Sequence, residues 1–147
     1  MRVLVVSQDP KERARATSAL ALSPGIEMEE VATGEQARER LLSDGPAFDV
    51  LVIDGDLQPR GGYALLYDLR NRAELDTFVA VPSLVLASRE QDRWIAAWAG
   101  ANELLLKPVD PFELARRVTA LEGAELVPYG DAGAADRQVA TALRPPS

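Results

Sequence analysis

Four short stretches carry the side chains that can do chemistry, and each follows an apolar run: Ser7-Gln8-Asp9, Asp54-Gly55-Asp56, Ala87-Ser88 and Lys107-Pro108. Together they offer carboxylates, hydroxyls, an amide and an amine. The chain has no cysteine and no histidine. Disulfides, thiol chemistry, zinc or iron sites with nitrogen or sulfur ligands and histidine-based triads are therefore excluded. What remains is the chemistry of carboxylate, hydroxyl, amine and guanidinium groups.

Such groups act only if a scaffold brings them together. The runs Val3–Val6, Val50–Ile53, Leu84–Ala87 and Leu104–Leu106 are short and apolar throughout, the pattern of parallel strands covered on both faces. Glu27–Ala32 alternates and suits a place at an edge. Helical patterns fall between these runs. Asp9 precedes Pro10, a capping carboxylate before a proline at the first helical position, with Ala16, Ala19 and Leu20 as an inner face. Thr33 to Gln36 reads as a capping box, with Ala37, Leu41 and Leu42 inward. Gly62–Arg72 carries Leu65, Leu66 and Leu69. Ser88–Gly100 opens on a second capping box ending in Gln91. Asp110-Pro111 repeats the opening of the first helix, followed by Leu114, Ala115, Val118 and Leu121.

Alternating strands and helices predict a doubly wound α/β sheet of five parallel strands, in the order 2-1-3-4-5, with five flanking helices. In such sheets the site lies beyond the carboxyl ends of the strands, and those ends are the four stretches named at the outset. At 147 residues with 27% charged and 47% hydrophobic side chains, the chain is read as one domain over 1–122. The remainder, 123–147, is rich in Gly, Ala, Asp and Pro and is expected to be a mobile tail that adds little stability. The net charge of −7 with scattered basic residues argues against nucleic acid and anionic membranes as partners. No apolar run is long enough to span a bilayer and the chain begins directly on a strand, so a cytoplasmic location is expected.

The segments FDVLVIDGDLQPRGGYALLYDLR (48–70), VPSLVLAS (81–88) and GANELLLKPVDPFEL (100–114) resemble the receiver domain of two-component response regulators, over residues 1 to about 122. The resemblance implies a flavodoxin-like fold. It places the phosphoacceptor position at Asp54 and the phosphoryl-contact position at Lys107, before a proline whose peptide bond is usually cis in the family. It also implies Mg²⁺-binding acids after the first strand, a Ser or Thr after the fourth, and an aromatic switch residue three before the lysine. Those positions are Ser7 and Gln8, Ala87, and Leu104.

These departures touch separate parts of one mechanism while the apolar framework stays intact. Phosphoryl transfer to a carboxylate needs a cation to offset crowded negative charge, and Mg²⁺ favours anionic oxygen ligands. The resemblance therefore implies a divergent pseudo-receiver in signal transduction, acting by protein–protein interaction rather than as an enzyme. No cofactor is expected, with at most weak Mg²⁺ binding at Asp9, Asp54 and Asp56. Asp9 is read first as an N-cap, and Ser88 first as a capping residue.

Two alternatives stay open. One is a weakly active phosphoacceptor receiver in a phosphorelay, served by a histidine kinase at Asp54. The other starts from Asp54-Gly55-Asp56, which resembles the nucleophile motif of haloacid-dehalogenase-type phosphatases. In the receiver family the face built from the fourth helix, fifth strand and fifth helix commonly carries dimer or output contacts. Aligning Lys107 with the family lysine puts Trp98 on the outer side of the fourth helix and Trp94 closer to the sheet. Trp98 is thus the expected partner-binding residue, for a homodimer or another protein.

Overall fold

The structure is a computed structural model and describes residues 1–43, 45, 47–58, 61–74 and 80–130. It contains strands β1 (Arg2–Val6), β2 (Glu27–Val31), β3 (Val50–Asp54), β4 (Ser83–Ala87) and β5 (Glu103–Leu106). Helices α1 (Pro10–Leu20), α2 (Gly34–Leu42), α3 (Gly62–Glu74), α4 (Arg93–Trp98) and α5 (Pro111–Ala120) alternate with them. All neighbouring strands are parallel, in the order β2-β1-β3-β4-β5.

The strand sequences explain the layering. Side chains alternate faces along a strand, and here both faces are apolar. Leu4, Val6, Leu51, Ile53, Val85 and Ala87 pack with Leu65, Leu66 and Leu69 of α3 and Ala96 of α4. Val3, Val5, Val50, Val52, Leu84 and Leu86 pack with Ala16 and Leu20 of α1 and Leu114 and Val118 of α5. Outward-facing acids confine β2 to an edge.

Local capping fixes where the helices begin. Asp9 accepts from the Lys11 amide at 2.9 Å, with Pro10 opening α1. Thr33 and Gln36 form a reciprocal capping box on α2. Asp110 accepts from the amides of Phe112 and Glu113 at 2.8 and 3.0 Å. Each such cap is worth about 1 kcal/mol. The box expected at Ser88 does not form. The chain instead makes a 3₁₀ turn, Glu90–Asp92, and α4 follows with six residues and no side-chain cap. Leu42, expected inward, is exposed at the end of α2.

Part of the segment beyond α5 also departs from expectation. Asn102 donates to Glu125 O at 2.9 Å, Arg70 donates to Val127 O at 2.6 Å, and the Gly130 amide donates to Trp98 O at 2.7 Å. Residues 124–130 thus lie against the domain. The rest of the expected tail, 131–147, falls outside the described residues.

Candidate functional site

The parallel strands deliver Ser7, Asp54, Ala87 and Lys107 to one end of the sheet, each at or just beyond the carboxyl end of its strand. Asp54 closes β3 and is only 4% exposed. Its Oδ2 accepts from Ser7 Oγ at 2.7 Å. Its Oδ1 accepts from Lys107 Nζ at 2.5 Å and from the Asp56 amide at 2.9 Å. A buried carboxylate needs such partners, because each unmade hydrogen bond would leave a desolvated charge.

Lys107 also reaches Asp56 Oδ2, at 3.1 Å. The same Asp56 oxygen accepts from Ser88 Oγ. That contact explains the missing capping box: the hydroxyl that would cap the fourth helix points instead at Asp56. Burial pulls the Lys107 ammonium down, but its hydrogen bonds to Asp54 and Asp56 outweigh this and hold its pKa above 10.5. The Ser88 hydrogen bond, helped by Lys107, keeps the Asp56 carboxyl below 3.8 although burial opposes it. The Lys107–Pro108 peptide bond is cis.

Gln8, the residue after Ser7, bonds to the backbone of Gln58. Its Oε1 accepts from the Gln58 amide at 2.7 Å, and its Nε2 donates to Gln58 O at 3.3 Å. The amide therefore ties the loop after β3 to the loop after β1. Asp9 is turned away to cap α1 and joins no carboxylate cluster. Among the described residues no group of three or more His, Cys, Asp or Glu side chains is placed to hold a metal.

Behind the site, Ala87 is fully buried and Leu104 is 6% exposed, both within the core on the α3 side. The start of α3 runs so close that a Cβ on Gly62 would sit 2.2 Å from Asp54 O.

The model of the response regulator receiver domain family matches residues 3–119. An uncharacterised response regulatory protein of Mycobacterium tuberculosis is 33% identical over 126 residues, covering 82% of this chain and 90% of the relative. The chain belongs to the response regulator receiver family. A Francisella response regulator receiver domain matches at 25% identity with a TM-score of 0.69, covering 83% of this chain and 96% of that one. The chemotaxis response regulator CheY4 of Vibrio cholerae, at 22% identity and a TM-score of 0.69 over 82% and 97% of the two chains, shares the fold. A receiver domain in signalling is thus the setting in which the remaining residues are read.

One assignment on this receiver domain is reversed. Trp98 does not face outward: it stacks on Tyr67, with ring centroids 4.5 Å apart and planes 8° from parallel, and packs on the core. Trp94 is the exposed tryptophan, at 48%. The helix is shorter than its sequence pattern suggests, and it begins after a 3₁₀ turn.

Two contacts lie outside the residues that the sequence patterns single out. Gln58 engages the site through its backbone, so no side-chain pattern announces it. Arg70, within an otherwise apolar helix face, is 8% exposed and donates to Gly100 O at 3.0 Å as well as to Val127 O. The break in apolar periodicity at Arg70 was the available signal. No helix among the described residues is long and apolar enough to cross a membrane.

Proposed function

We propose that this receiver domain is a pseudo-receiver that transmits signals by protein–protein interaction, without Mg²⁺-dependent phosphorylation of Asp54 and without enzymatic turnover. The observation that carries this reading is the internal satisfaction of the Asp54 carboxylate. One oxygen is held by the Ser7 hydroxyl, the other by Lys107 and the Asp56 amide.

The donor set does not fit Mg²⁺. The ion favours octahedral oxygen ligands, commonly one or two carboxylates with waters. Here the family's acidic positions carry Ser7 and Gln8; the hydroxyl is spent on Asp54 and the amide on the Gln58 backbone. Asp9 is committed to its cap and Asp56 to Ser88 and Lys107. Lys107 already supplies the positive charge that the cluster needs.

The partner-binding surface in this reading is the face of α4, β5 and α5, with Trp94 in place of Trp98. Trp94 and Leu106 are exposed there. At the α5 side, Arg117 bridges Glu103 and Glu113, each at 2.8 Å. An exposed tryptophan bordered by polar residues has the composition of a binding hot spot. The partner is a second copy of the domain or another signalling protein.

A second reading, slow phosphorylation of Asp54 by a histidine kinase in a phosphorelay, is favoured by the retained Asp54–Lys107 pair. One experiment separates the two. Incubation with acetyl phosphate and millimolar Mg²⁺, followed by intact-mass spectrometry, should leave the protein unmodified; stoichiometric labelling of Asp54 would establish the phosphoacceptor instead. Turnover of p-nitrophenyl phosphate with Mg²⁺ would overturn the non-enzymatic reading.

A further inference from the structure

The segment that follows α5 crosses from one face of the sheet to the other. Gly123, at φ +74°, turns the chain out of α5, and Ala124 packs on the core of the α1–α5 side. The backbone of Glu125 is then caught by Asn102 just before β5, and that of Val127 by Arg70 of α3. Tyr129 lies with its ring 4.7 Å from the Arg70 guanidinium and meets Tyr67 edge-on at 5.5 Å. The Gly130 amide finally donates to Trp98 O, at the last residue of α4.

Helix α4 has a particular need for such contacts. It is six residues long and has no side-chain N-cap, too short to be stable through its own hydrogen bonds. Its C-terminal end is held from outside by Tyr67 stacking on Trp98, by Arg70 donating to Gly100 O, and by Gly130 donating to Trp98 O. Arg70 joins this end of α4 to the segment, since one guanidinium bonds both Gly100 O and Val127 O. Burial pulls its pKa down; the two carbonyls and the Tyr129 ring replace lost water.

The segment itself is weakly held. It has no regular secondary structure and no fully buried side chain, and Leu126 is exposed. Segments with few buried apolar contacts open at a free-energy cost well below global unfolding. A strongly anchored end and a weakly held body are what a releasable restraint requires.

We infer that Ala124–Gly130 is a latch that holds the C-terminal end of α4 against α3, and that its release frees α4 while the sheet stays folded. The device sits at the far end of α4 from the Asp54 cluster. It therefore controls the helix that carries Trp94 without any change at Asp54.

The test uses the full-length protein with Trp94→Phe, which leaves Trp98 as the sole tryptophan. Into this background go Gly130→Val, which forces a branched side chain into φ +84° with Tyr67 3.1 Å from its Cβ, and separately Tyr129→Ala. Tyr129→Phe, which keeps the ring over Arg70 and removes only the hydroxyl that bonds Glu74, separates the two contributions. Acrylamide quenching of Trp98 and amide hydrogen exchange are measured on each. The expected result for the first two variants is roughly twofold stronger quenching, and roughly tenfold faster exchange at Ala99 and Gly100, with β1 and β3 unchanged. Tyr129→Phe, which loses the bond to Glu74 but keeps the ring, should fall between the background and Tyr129→Ala. Unchanged quenching and α4 exchange in both variants would overturn the latch, as would equally accelerated exchange in β1 and β3, since the segment would then belong to the cooperative fold. The inference adds regulation to the docking face proposed above, but these readouts involve no partner. Failure of that face would leave them standing.

Discussion

Ser7 donates its hydroxyl to Asp54 Oδ2 at 2.7 Å, across the gap between β1 and β3. A neutral donor thus occupies the position where the family pattern has an acid. Restoring that acid should turn a satisfied contact into repulsion between buried carboxylates. Ser7→Asp combined with Gln8→Asp is expected to lower stability by about 2–4 kcal/mol without divalent cation. Millimolar Mg²⁺ should recover much of the loss, while the unmodified protein shows no thermal shift. Calorimetry with and without Mg²⁺ checks both.

The Asp54–Lys107 pair invites a double-mutant cycle. Lys107→Met strands a carboxylate that is 4% exposed, at an expected cost of about 2–4 kcal/mol. Asp54→Asn keeps hydrogen-bonding capacity and should cost less, about 1–2 kcal/mol. The double variant should be more stable than the summed losses by at least ~1 kcal/mol, because neither partner is left alone. Urea denaturation of the four proteins measures the coupling, and strict additivity would contradict the geometry.

The pH profile should show two limbs from this cluster. Asp56 is depressed, first by its Ser88 hydrogen bond. Its stabilising contribution is complete above the unfolded carboxyl pKa and is lost as pH falls through the folded value. For Lys107, hydrogen bonds to Asp54 and Asp56 outweigh burial and raise the pKa above 10.5. Its contribution is complete below 10.5 and is lost as pH rises through the folded value. Thermal melts should therefore find this cluster's contribution level between about pH 5 and pH 10. Asp56→Asn should flatten the acid limb by no more than ~1 kcal/mol, because this carboxyl is half exposed.

The two tryptophans should separate cleanly. Trp94→Ala should leave stability within about 0.5 kcal/mol and weaken self-association or partner binding by about 1–3 kcal/mol. Trp98→Ala removes the ring stacked on Tyr67 and should destabilise the fold by about 2–4 kcal/mol. Urea melts and analytical ultracentrifugation distinguish them. A stability loss confined to Trp94→Ala would reverse the assignment.

Much of this fold is legible from the chain because its signals are local and repeated. The apolar strands, the caps at Asp9, Thr33 and Asp110, and the spacing of Asp54 and Lys107 depend on nearest neighbours or on strand ends that a parallel sheet must align. Three features resisted for stated reasons. Ser88 satisfies a capping pattern, but the Asp56 carboxylate from the loop after β3 competes for its hydroxyl. Trp94 and Trp98 lie one turn apart on nearly the same face, and what covers Trp98 is the ring of Tyr67 from α3, a contact that helical periodicity cannot report. The hold on residues 124–130 comes mainly from Asn102 and Arg70 gripping backbone carbonyls, which composition cannot reveal. The groove of about 780 Å³ between α1 and α5, bordered by Lys11, Arg15, Leu22 and Phe112, likewise arises from residues far apart in the chain. Phe112, 73% exposed, directly follows the proline that opens α5.

The acidic character of β2 has a consequence for crowded solutions. This strand borders the sheet and presents Glu27 and Glu29 to one side and Glu30 to the other, within a run of five residues. Arg2, Arg13 and Arg40 of the same molecule lie beside these carboxylates. A strand docking there from another copy would bring its own acids against them, and like charges directly opposite across a ladder are destabilising. Sheet growth across that border is therefore self-limiting.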